Sequence, residues 1–571
     1  MPDGHVFIAH GDITRLAADA IGYSASSILG RDGSLCSSFE ANVPGFADAY
    51  PALRRSLAVP VAVGSSYWLP LEGRPAGVAV AVSTGRAGED VDKPGAAVRA
   101  ALAEAVKHLR EARPTGNLLV ALPAFRLGRG GDHGHRLASA RAQVRAAHEA
   151  LAGLPGVDCA FVCYTPALHR IFLEARREVL GPRPDPGQPA LEEALRAGGC
   201  VLFAGAGLSA GAGLPDWSRL VASLCQELGI AYDRGLDALD VAQWHRERFG
   251  DERLAAVLRA TFAGKGLPTL AHYLLLALPL RHVITTNYDG LLEQALEALK
   301  RRVVPVVRQE DVARTGGAGA VYVTKLHGDA AHPSDIVLSR DDYETFAEKR
   351  PAMALLLEAL LLNQAFLFVG YSLRDPNFRT IFGRVSRMLR ESRLPAFATS
   401  FESPGPTADL SRRQWARQRL EVLPIHGADG AEQVRAFLLL LDALSERVTL
   451  SAPAPVLAAD TPTPPALERL VSLFAKAGAE IDELAERGEL DDDDCRFLAD
   501  ALAFLARHGW RPEGRGSPLR GLWLQLAERA QDASLRRRLL TEALDAADSL
   551  GEMQAVQERL AKLDEPVNPP A

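Results

Sequence analysis

The 571-residue chain lacks the features that mark secreted, disulfide-stabilised or nucleic-acid-binding proteins. Its six cysteines form no C-x-x-C pair, so neither a zinc knuckle nor a disulfide framework is indicated. Acidic residues outnumber basic ones, 71 to 64, which leaves no basic footprint for nucleic acid. The first residues show no cationic segment followed by an apolar one, as a secretory signal would. We therefore expect a cytoplasmic protein.

Long apolar runs are also missing. The most apolar window, 354–370, is interrupted by Glu358, Asn363 and Gln364, which predicts a buried helix followed by a strand instead of a membrane span. A hydrophobic content of 47% and a charged content of 24% are typical of globular proteins. The chain is too long for one core, so about three domains are expected.

A glycine-rich stretch near the middle of the chain dominates the pattern. The apolar run 200–204 predicts a buried strand, and a series of glycines follows from Gly205 to Gly213. Residues 205–210 fit the pattern G-x-G-x-x-A of dinucleotide-binding turns. Because Gly213 and Pro215 disfavour a helix, we expect a long, mobile loop here, with no helix opening at once. Its backbone amides are candidates for binding phosphate.

At three later places an apolar strand is again followed by polar or glycine residues. The residues that follow the strands are 285–289, 327–329 and 370–372. Because open α/β sheets bind ligands beyond the carboxyl ends of their strands, we expect these segments to share one edge with the glycine-rich stretch. Each alone also fits a structural role, such as helix capping by Asn287 and Asp289.

The order of these segments resembles the sirtuin family, in its prokaryotic branch without zinc. The corresponding segments are 205–209 with 213–217 for the opening motif and cofactor loop, 286–289 for the nicotinamide and ribose motif, 327–328 for the histidine turn, and 370–372 for the ribose-phosphate motif. The resemblance covers much of residues 190–448. It implies a Rossmann-like parallel sheet of the sirtuin type in an α/β domain.

The resemblance also implies a site that binds NAD and breaks its nicotinamide–ribose bond. Asn287 would orient the attacking water and the ribose hydroxyls. His327 would accept a proton, a task that imidazole performs well near neutral pH. The other residues implied in cofactor binding are Gly205, Ala206, Gly207, Ser209, Asp216, Trp217, Thr286, Asp289, Gly370 and Ser372.

One departure from protein-deacylating sirtuins bears on the reaction. Those enzymes carry two C-x-x-C pairs between the histidine turn and the later glycine motif. This chain has no cysteine between His327 and Gly370. Because thiolates are the usual ligands of such a zinc site, we expect no metal here and no deacylation.

The first 181 residues alternate predicted strands and helices, which indicates a three-layer α/β domain. The motif Gly-Asp-Ile-Thr at 11–14 and the glycine-rich segment 128–131 resemble those of macrodomains, the modules that bind ADP-ribose. Ser26 stands where that family has its ribose-side asparagine, so ADP-ribose hydrolysis is not expected. A nucleotide-binding role and a plain packing role both stay open. By resemblance the nucleotide would contact Asp12, Ile13, Gly128, Gly130 and Gly131.

Two proline-rich segments, 182–189 and 451–465, predict linkers. They divide the chain into a macrodomain-like domain (1–181), a sirtuin-like domain (190–448) and an all-α tail (466–571). The tail shows helical spacing without strand signals, which is typical of a bundle or of helical repeats. We expect it to serve oligomerisation or the docking of a protein partner.

These features predict an NAD hydrolase that produces ADP-ribose and nicotinamide. Chains of this type resemble effectors of anti-phage defence, which deplete NAD once triggered. That resemblance implies regulation by an ADP-ribose-like nucleotide activator or by formation of a homo-oligomer. Two alternatives stay open: an NAD-dependent ADP-ribosyltransferase, and a non-catalytic sensor that binds NAD or ADP-ribose.

Overall fold

The structure is a computed structural model of the chain. It describes residues 4–30, 34–73, 75–84, 93–125, 136–184, 187–215, 217–233, 235–315, 319–332, 336–371, 373, 376–389, 394–402, 405–451, 527, 535–537, 539, 540 and 559. Some predicted site residues lie outside the described residues, namely Gly128, Gly130, Gly131, Asp216 and Ser372. Most of the predicted tail, 466–571, also lies outside them, and its few described residues are helical.

The amino-terminal α/β region is built on a six-stranded sheet. Its elements in chain order are β1 (Val6–His10), β2 (Ala20–Ser26), α1 (Ser34–Asn42), α2 (Phe46–Ser56), β3 (Ser66–Pro70), β4 (Gly77–Thr84), α3 (Lys93–Ala112), β5 (Leu118–Pro123), α4 (Arg136–Ala152), β6 (Val157–Cys163) and α5 (Pro166–Leu180). The strand order is β1-β6-β5-β2-β4-β3, and only the pair β3–β4 is antiparallel. Every residue of β1 is buried, as expected for a strand covered on both faces.

The second sheet has seven strands. The elements that form and surround it are α6 (Pro189–Arg196), β7 (Cys200–Ala204), α7 (Ala206–Ser209), α8 (Trp217–Leu228), α9 (Ala238–Phe249), α10 (Asp251–Phe262), α11 (Leu270–Leu276), β8 (His282–Thr285), α12 (Leu291–Ala298), β9 (Arg302–Val306), β10 (Ala320–Lys325), α13 (Arg340–Glu344), α14 (Phe346–Lys349), α15 (Pro351–Asn363), β11 (Ala365–Val369), α16 (Pro376–Leu389), β12 (Ala396–Ser400), α17 (Pro406–Ala416), β13 (Leu420–Pro424) and α18 (Gly430–Ser451).

All neighbouring strands of this second sheet run parallel, in the order β13-β12-β11-β7-β8-β10-β9. The strands that precede the four polar or glycine-rich segments, β11, β7, β8 and β10, are therefore consecutive in the sheet. Because they run parallel, their carboxyl ends meet at one edge. The α/β class predicted for both halves, and the shared edge, are confirmed.

The expectation of a loop directly after β7 is wrong. The helix α7 opens at Ala206, immediately after Gly205, and a 3₁₀ turn over Ala210–Ala212 continues it. Gly213 then ends the turn in the left-handed conformation, with φ of 81°. The glycines and the proline therefore limit α7 to about one turn, but they do not prevent the helix from starting.

The chain forms two compact units. One comprises Met1–Gly30, Ser38–Phe125 and Ala140–Ala452 and so holds both sheets. The other comprises Arg31–Ser37, Arg126–Ser139 and Pro453–Ala571. The predicted division into 1–181, 190–448 and 466–571 stays a prediction. Within the described part of the chain, no helix is both long and apolar enough to cross a membrane.

The long helix α18 joins the two sheets of the first unit. The helix buries two carboxylates, those of Asp442 and Glu446. Arg176 of α5 donates to both oxygens of Asp442 at 2.7 Å and to Glu446 at 2.7 Å. His5 lies 3.1 Å from Asp442. Arg176 and Asp442 are fully buried, so this cluster holds the first sheet and α18 together without water.

Candidate functional site

The loop after β8 is tied to the end of β7. Thr285 donates its hydroxyl to the carbonyl of Ala204 at 2.9 Å and accepts the amide of Asn287 at 3.0 Å. The side chain of Asn287 then reaches back across the sheet edge. Its Nδ2 donates to the carbonyl of Gly205 at 3.1 Å and to the hydroxyl of Ser209 at 3.0 Å. The structure thus brings the predicted residues Gly205, Ser209 and Asn287 together.

These bonds orient the amide of Asn287. A backbone carbonyl can only accept, so the nitrogen of the amide must face Gly205 and the oxygen must point the other way. Asn287 is only 5% exposed, and its Oδ1 has no hydrogen-bond partner among the described residues. A buried acceptor left unpaired costs roughly 1–3 kcal/mol. The arrangement therefore presents one acceptor to a donor that the described residues do not supply.

Asp289 lies beside Asn287 and is also buried. Its Oδ1 accepts a hydrogen bond from the amide of Leu291 at 3.1 Å, at the start of α12. Asp289 therefore also has the helix-capping role that the sequence left open. Burial raises the pKa of Asp289, while hydrogen bonds from Leu291 and Ser209 and the charge of Lys325 act in the opposite direction. Ser209 therefore contacts both predicted polar residues of this loop.

The turn after β10 places His327 at the same edge. The amide of Leu326 donates to the carbonyl of Thr285 at 2.9 Å, which joins this turn to the loop of Asn287. The carbonyl of His327 accepts the amide of Val337 at 3.0 Å. Its ring is 5% exposed, and Nδ1 lies 3.4 Å from the hydroxyl of Tyr343. A buried imidazole is thus held at the edge that carries Asn287.

The glycines of the first loop pack directly against the loop after β11. The amide of Gly205 donates to the carbonyl of Val369 at 2.9 Å, and that of Gly207 donates to the carbonyl of Gly370 at 3.0 Å. A Cβ on Gly205 would lie 2.4 Å from the oxygen of Gly370, and Gly370 itself has φ of +61°. Glycine is therefore required here for backbone contact. Two of the amides proposed for phosphate are already bonded within the protein.

The remaining described residues of the prediction lie around this centre. Ala206 and Gly207 are exposed, and Thr286 is half-buried. Trp217 begins α8 and packs against the core formed by helices α8, α9 and α10.

Of the predicted nucleotide contacts of the first domain, Asp12 and Ile13 are described, and Asp12 lies where the two sheets meet. The amide of Asp12 donates to the carbonyl of Ala298 at 3.0 Å, and its carbonyl accepts the hydroxyl of Tyr273 at 2.7 Å. The carboxylate of Asp12 accepts from the amide and hydroxyl of Thr14, at 2.9 and 2.7 Å. Ile13 is buried. The backbone of Asp12 is therefore already engaged by α11 and by the end of α12.

Sequence reasoning missed a cavity of about 580 Å³ that starts at the paired glycine loops. It extends along the ends of β12 and β13, and its lining includes Gly207, Gly370, Thr399, Glu402, Arg412 and His426. The signal was available, because Glu402 and His426 also follow apolar strands.

A larger cavity of about 840 Å³ lies elsewhere, between α10 and α14. Its lining includes Arg246, Arg259, Arg308, Phe346 and Arg350 and contains none of the predicted site residues. Within the described ranges, no group of three or more histidine, cysteine, aspartate or glutamate side chains is arranged to hold a metal ion.

Residues 281–423 match the family model described as a SIR2-like domain, which confirms the sirtuin resemblance for that region. The chain is 36% identical over 187 residues to the NAD(+) hydrolase ThsA of Bacillus cereus (strain MSX-D12), covering 32% of this chain and 39% of that protein. It is 34% identical over 213 residues to the NAD(+) hydrolase ThsA of Enterococcus faecium, covering 36% and 44%. It is 28% identical over 222 residues to Defense-associated sirtuin 2 of Bacillus subtilis, covering 38% and 22%.

The chain therefore spans less than half the length of these curated relatives. Among solved structures, it is similar to the Oceanobacillus iheyensis macrodomain with MES bound. The sequence identity is 16%, the TM-score is 0.27, and the match covers 31% of this chain and 93% of that one.

Proposed function

We propose that this chain hydrolyses NAD to ADP-ribose and nicotinamide. The observation that carries the proposal is the amide of Asn287. Its nitrogen is fixed by Gly205 and Ser209, and its buried oxygen has no hydrogen-bond partner among the residues that the structure describes. The SIR2-like match over residues 281–423 and the relatives named as NAD(+) hydrolases support it.

The reaction breaks the bond between the nicotinamide nitrogen and the ribose carbon and forms a bond from that carbon to a water oxygen. Nicotinamide leaves with the bonding electrons, and the water loses one proton. In our proposal Asn287 accepts a hydrogen bond from that water or from a ribose hydroxyl, which orients the attack. His327 accepts the proton. Burial of both residues keeps bulk water away from the reacting carbon.

We propose that the rest of NAD extends from this centre to the cavity beside β12 and β13. Asp289 and Thr286 would hold the nicotinamide end, with Asp216 and Trp217 ordering the chain around it. The adenosine end would occupy the cavity, where Glu402 is suited to bind ribose hydroxyls. Ala206, Gly370 and Ser372 would line the path of the phosphates between them.

We further propose that the hydrolase is cytoplasmic, regulated, and acts in anti-phage defence by depleting NAD. The defence-associated name of the Bacillus subtilis relative supports this role. An ADP-ribose-like nucleotide would act through Asp12 and Ile13, together with the glycines 128, 130 and 131 that the macrodomain resemblance implies. Oligomer formation and partner docking are proposed for residues 466–571.

A product balance tests the proposed reaction. The full chain is incubated with NAD labelled in its adenosine half, with and without candidate nucleotides. Hydrolysis predicts equal amounts of nicotinamide and free ADP-ribose, and loss of both products in Asn287→Ala and His327→Ala. Nicotinamide with label retained on protein would show transfer to a protein acceptor instead. NAD binding without any product under all conditions would show a sensor.

A further inference from the structure

A buried lysine joins the two segments that carry Asn287 and His327. Lys325 is the last residue of β10, and its side chain is fully buried. Its ammonium donates to the carbonyl of Asp289 at 2.6 Å and to the carboxylate of Asp329 at 2.5 Å. Asp289 follows Asn287 by two positions, and Asp329 follows His327 by two positions. One ammonium therefore connects both loops.

The same ammonium faces a third acidic residue. Glu293, on the first turn of α12, places Oε1 3.5 Å from the nitrogen of Lys325, and its side chain is 14% exposed. Its Oε2 is buried and has no hydrogen-bond partner among the described residues. The titratable groups that face Lys325 are thus Asp289 from the loop, Glu293 from the helix and Asp329 from the turn.

We propose that Lys325 is a positioning residue for NAD cleavage. Its hydrogen bonds hold the Asn287 loop against the His327 turn, and its charge offsets the three acidic groups around it. This inference rests on the proposed function. It adds a residue that the sequence motifs did not single out.

The pKa shifts in this cluster agree with the role of Lys325 in hydrogen bonding and in charge compensation. Burial lowers the pKa of Lys325, but Glu293 and Asp329 outweigh burial, so that its net shift is upward. Burial raises the pKa of Glu293 and of Asp289, and Lys325 opposes both increases. Removing the ammonium therefore raises the pKa of Asp289 further. It also leaves the carbonyl of Asp289 without its buried donor.

Three variants separate the hydrogen bonds from the charge. Lys325→Met removes both. Combining Lys325→Met with Glu293→Gln removes the hydrogen bonds but restores much of the charge balance. Lys325→Arg keeps the charge and changes the reach of the donor. Arg176→Met is the matched control, because Arg176 is an equally buried cation between two carboxylates, away from the site. The measurements are kcat, KM, their pH dependence and the thermal midpoint Tm.

We expect Lys325→Met to lower kcat by about 10²-fold, because the proton acceptor and the orienting amide lose their shared tether. Its activity should disappear at a higher pH than that of the wild type as the solution is acidified. In the double variant the pH dependence should return towards that of the wild type, while kcat stays low. Lys325→Arg should lower kcat without moving the pH dependence. Arg176→Met should lower Tm and leave the pH dependence of kcat unchanged.

Two results would overturn the inference. One is a wild-type kcat and pH dependence in Lys325→Met. The other is a loss of activity that follows the folded fraction, as in the Arg176→Met control. Should Lys325→Met not fold, the double variant with Glu293→Gln decides, and a wild-type kcat there would exclude the tether. A wild type that releases no nicotinamide would refute the proposed function itself, a result distinct from either.

Discussion

At the scale of single residues, the hydroxyl of Ser209 is the contact that orients the site. It accepts Nδ2 of Asn287 at 3.0 Å and also bonds to Asp289. Because a hydroxyl can both accept and donate, this one residue satisfies two buried side chains. Alanine has no group that could replace either bond. The carbonyl of Gly205 would then be the remaining bond that fixes the amide.

Replacement of Ser209 by alanine should therefore lower kcat by about tenfold, because the amide of Asn287 gains freedom to rotate. Unfolding free energy should fall by about 2 kcal/mol, because two hydrogen bonds of about 1 kcal/mol each are lost. The control is Ser223→Ala, whose hydroxyl bonds to the carbonyl of Leu220 within α8. Steady-state kinetics and urea unfolding of both variants check this. Equal kcat values for the two variants would contradict the orienting role.

The two glycines that flank β7, Gly199 and Gly205, differ in the space available for a side chain. A Cβ on Gly205 would meet the oxygen of Gly370 at 2.4 Å, whereas a Cβ on Gly199 would meet its nearest atom at 3.7 Å. Gly205→Ala should thus displace the two paired loops, lowering unfolding free energy by about 1–3 kcal/mol and reducing NAD turnover. Gly199→Ala should change neither by a measurable amount. Thermal unfolding and NAD turnover compare them, and a fully active Gly205→Ala would refute the packing role.

At the scale of elements, the strands of the second sheet were the part that sequence predicted best. The bounds of β7 agree with prediction, because an apolar run ended by glycine leaves little freedom for a buried parallel strand. The short helix α7 was not predicted, because its glycines and proline disfavour a helix locally. The contact of Gly207 with Gly370 accompanies the helix in the folded chain. That contact joins residues far apart in sequence, so no local pattern reveals it.

The helix α18 also has features that depend on residues far away in the sequence. Its leucines predicted a buried face, but Asp442 and Glu446 look like solvent-facing residues in isolation. They are buried because Arg176, 266 residues from Asp442 in the chain, lies between them. Likewise Lys325 appears in sequence only as the polar end of a strand. A charge can be buried only with partners, and distant partners are invisible to a reading of single segments.

The acid sensitivity of α18 follows from this cluster. Burial alone would raise the pKa of Asp442, but Arg176 and His5 outweigh it and lower the pKa from 3.8 to about 2. Since the folded value lies below the unfolded one, the stabilisation is complete above about pH 4 and is lost towards pH 2. It corresponds to roughly 2 kcal/mol of unfolding free energy.

Replacement of Asp442 by asparagine should destabilise the chain near neutral pH and reduce its further loss of stability on acidification. Urea unfolding of wild type and variant at a series of pH values measures this loss. Glu421→Gln serves as a control, because Glu421 is an exposed carboxylate of β13. An Asp442→Asn variant that loses as much stability as the wild type between about pH 4 and pH 2 would contradict the assignment.

At the scale of the whole molecule, the contact between the two sheets lies on the predicted nucleotide edge of the first. The hydroxyl of Tyr273 and the carbonyl of Ala298 already bond to the backbone of Asp12. A nucleotide that bonds to the backbone of Asp12 would have to compete with these bonds. Binding at this edge and the contact between the sheets therefore oppose each other, which is the requirement for a ligand to shift the structure.

Tyr273→Phe removes one of the competing bonds while keeping the ring. It should strengthen ADP-ribose binding by about fivefold, equivalent to about 1 kcal/mol. Titration calorimetry on the full chain measures the affinity, and Tyr67→Phe in β3, at the opposite edge of the first sheet, is the control. Weaker binding in Tyr273→Phe would show that the hydroxyl supports the nucleotide instead of opposing it. Absence of binding in all variants would refute a nucleotide site at Asp12.

The most direct test of the account measures NAD binding and NAD cleavage on the same preparation of Asn287→Ala. Calorimetry gives the Kd for NAD, and release of nicotinamide gives the rate. We predict a Kd close to that of the wild type and a rate lower by about 10²–10⁴-fold, because the variant loses the acceptor that orients the attack. A wild-type rate, or a rate that falls only in proportion to weaker binding, would contradict the role assigned to Asn287.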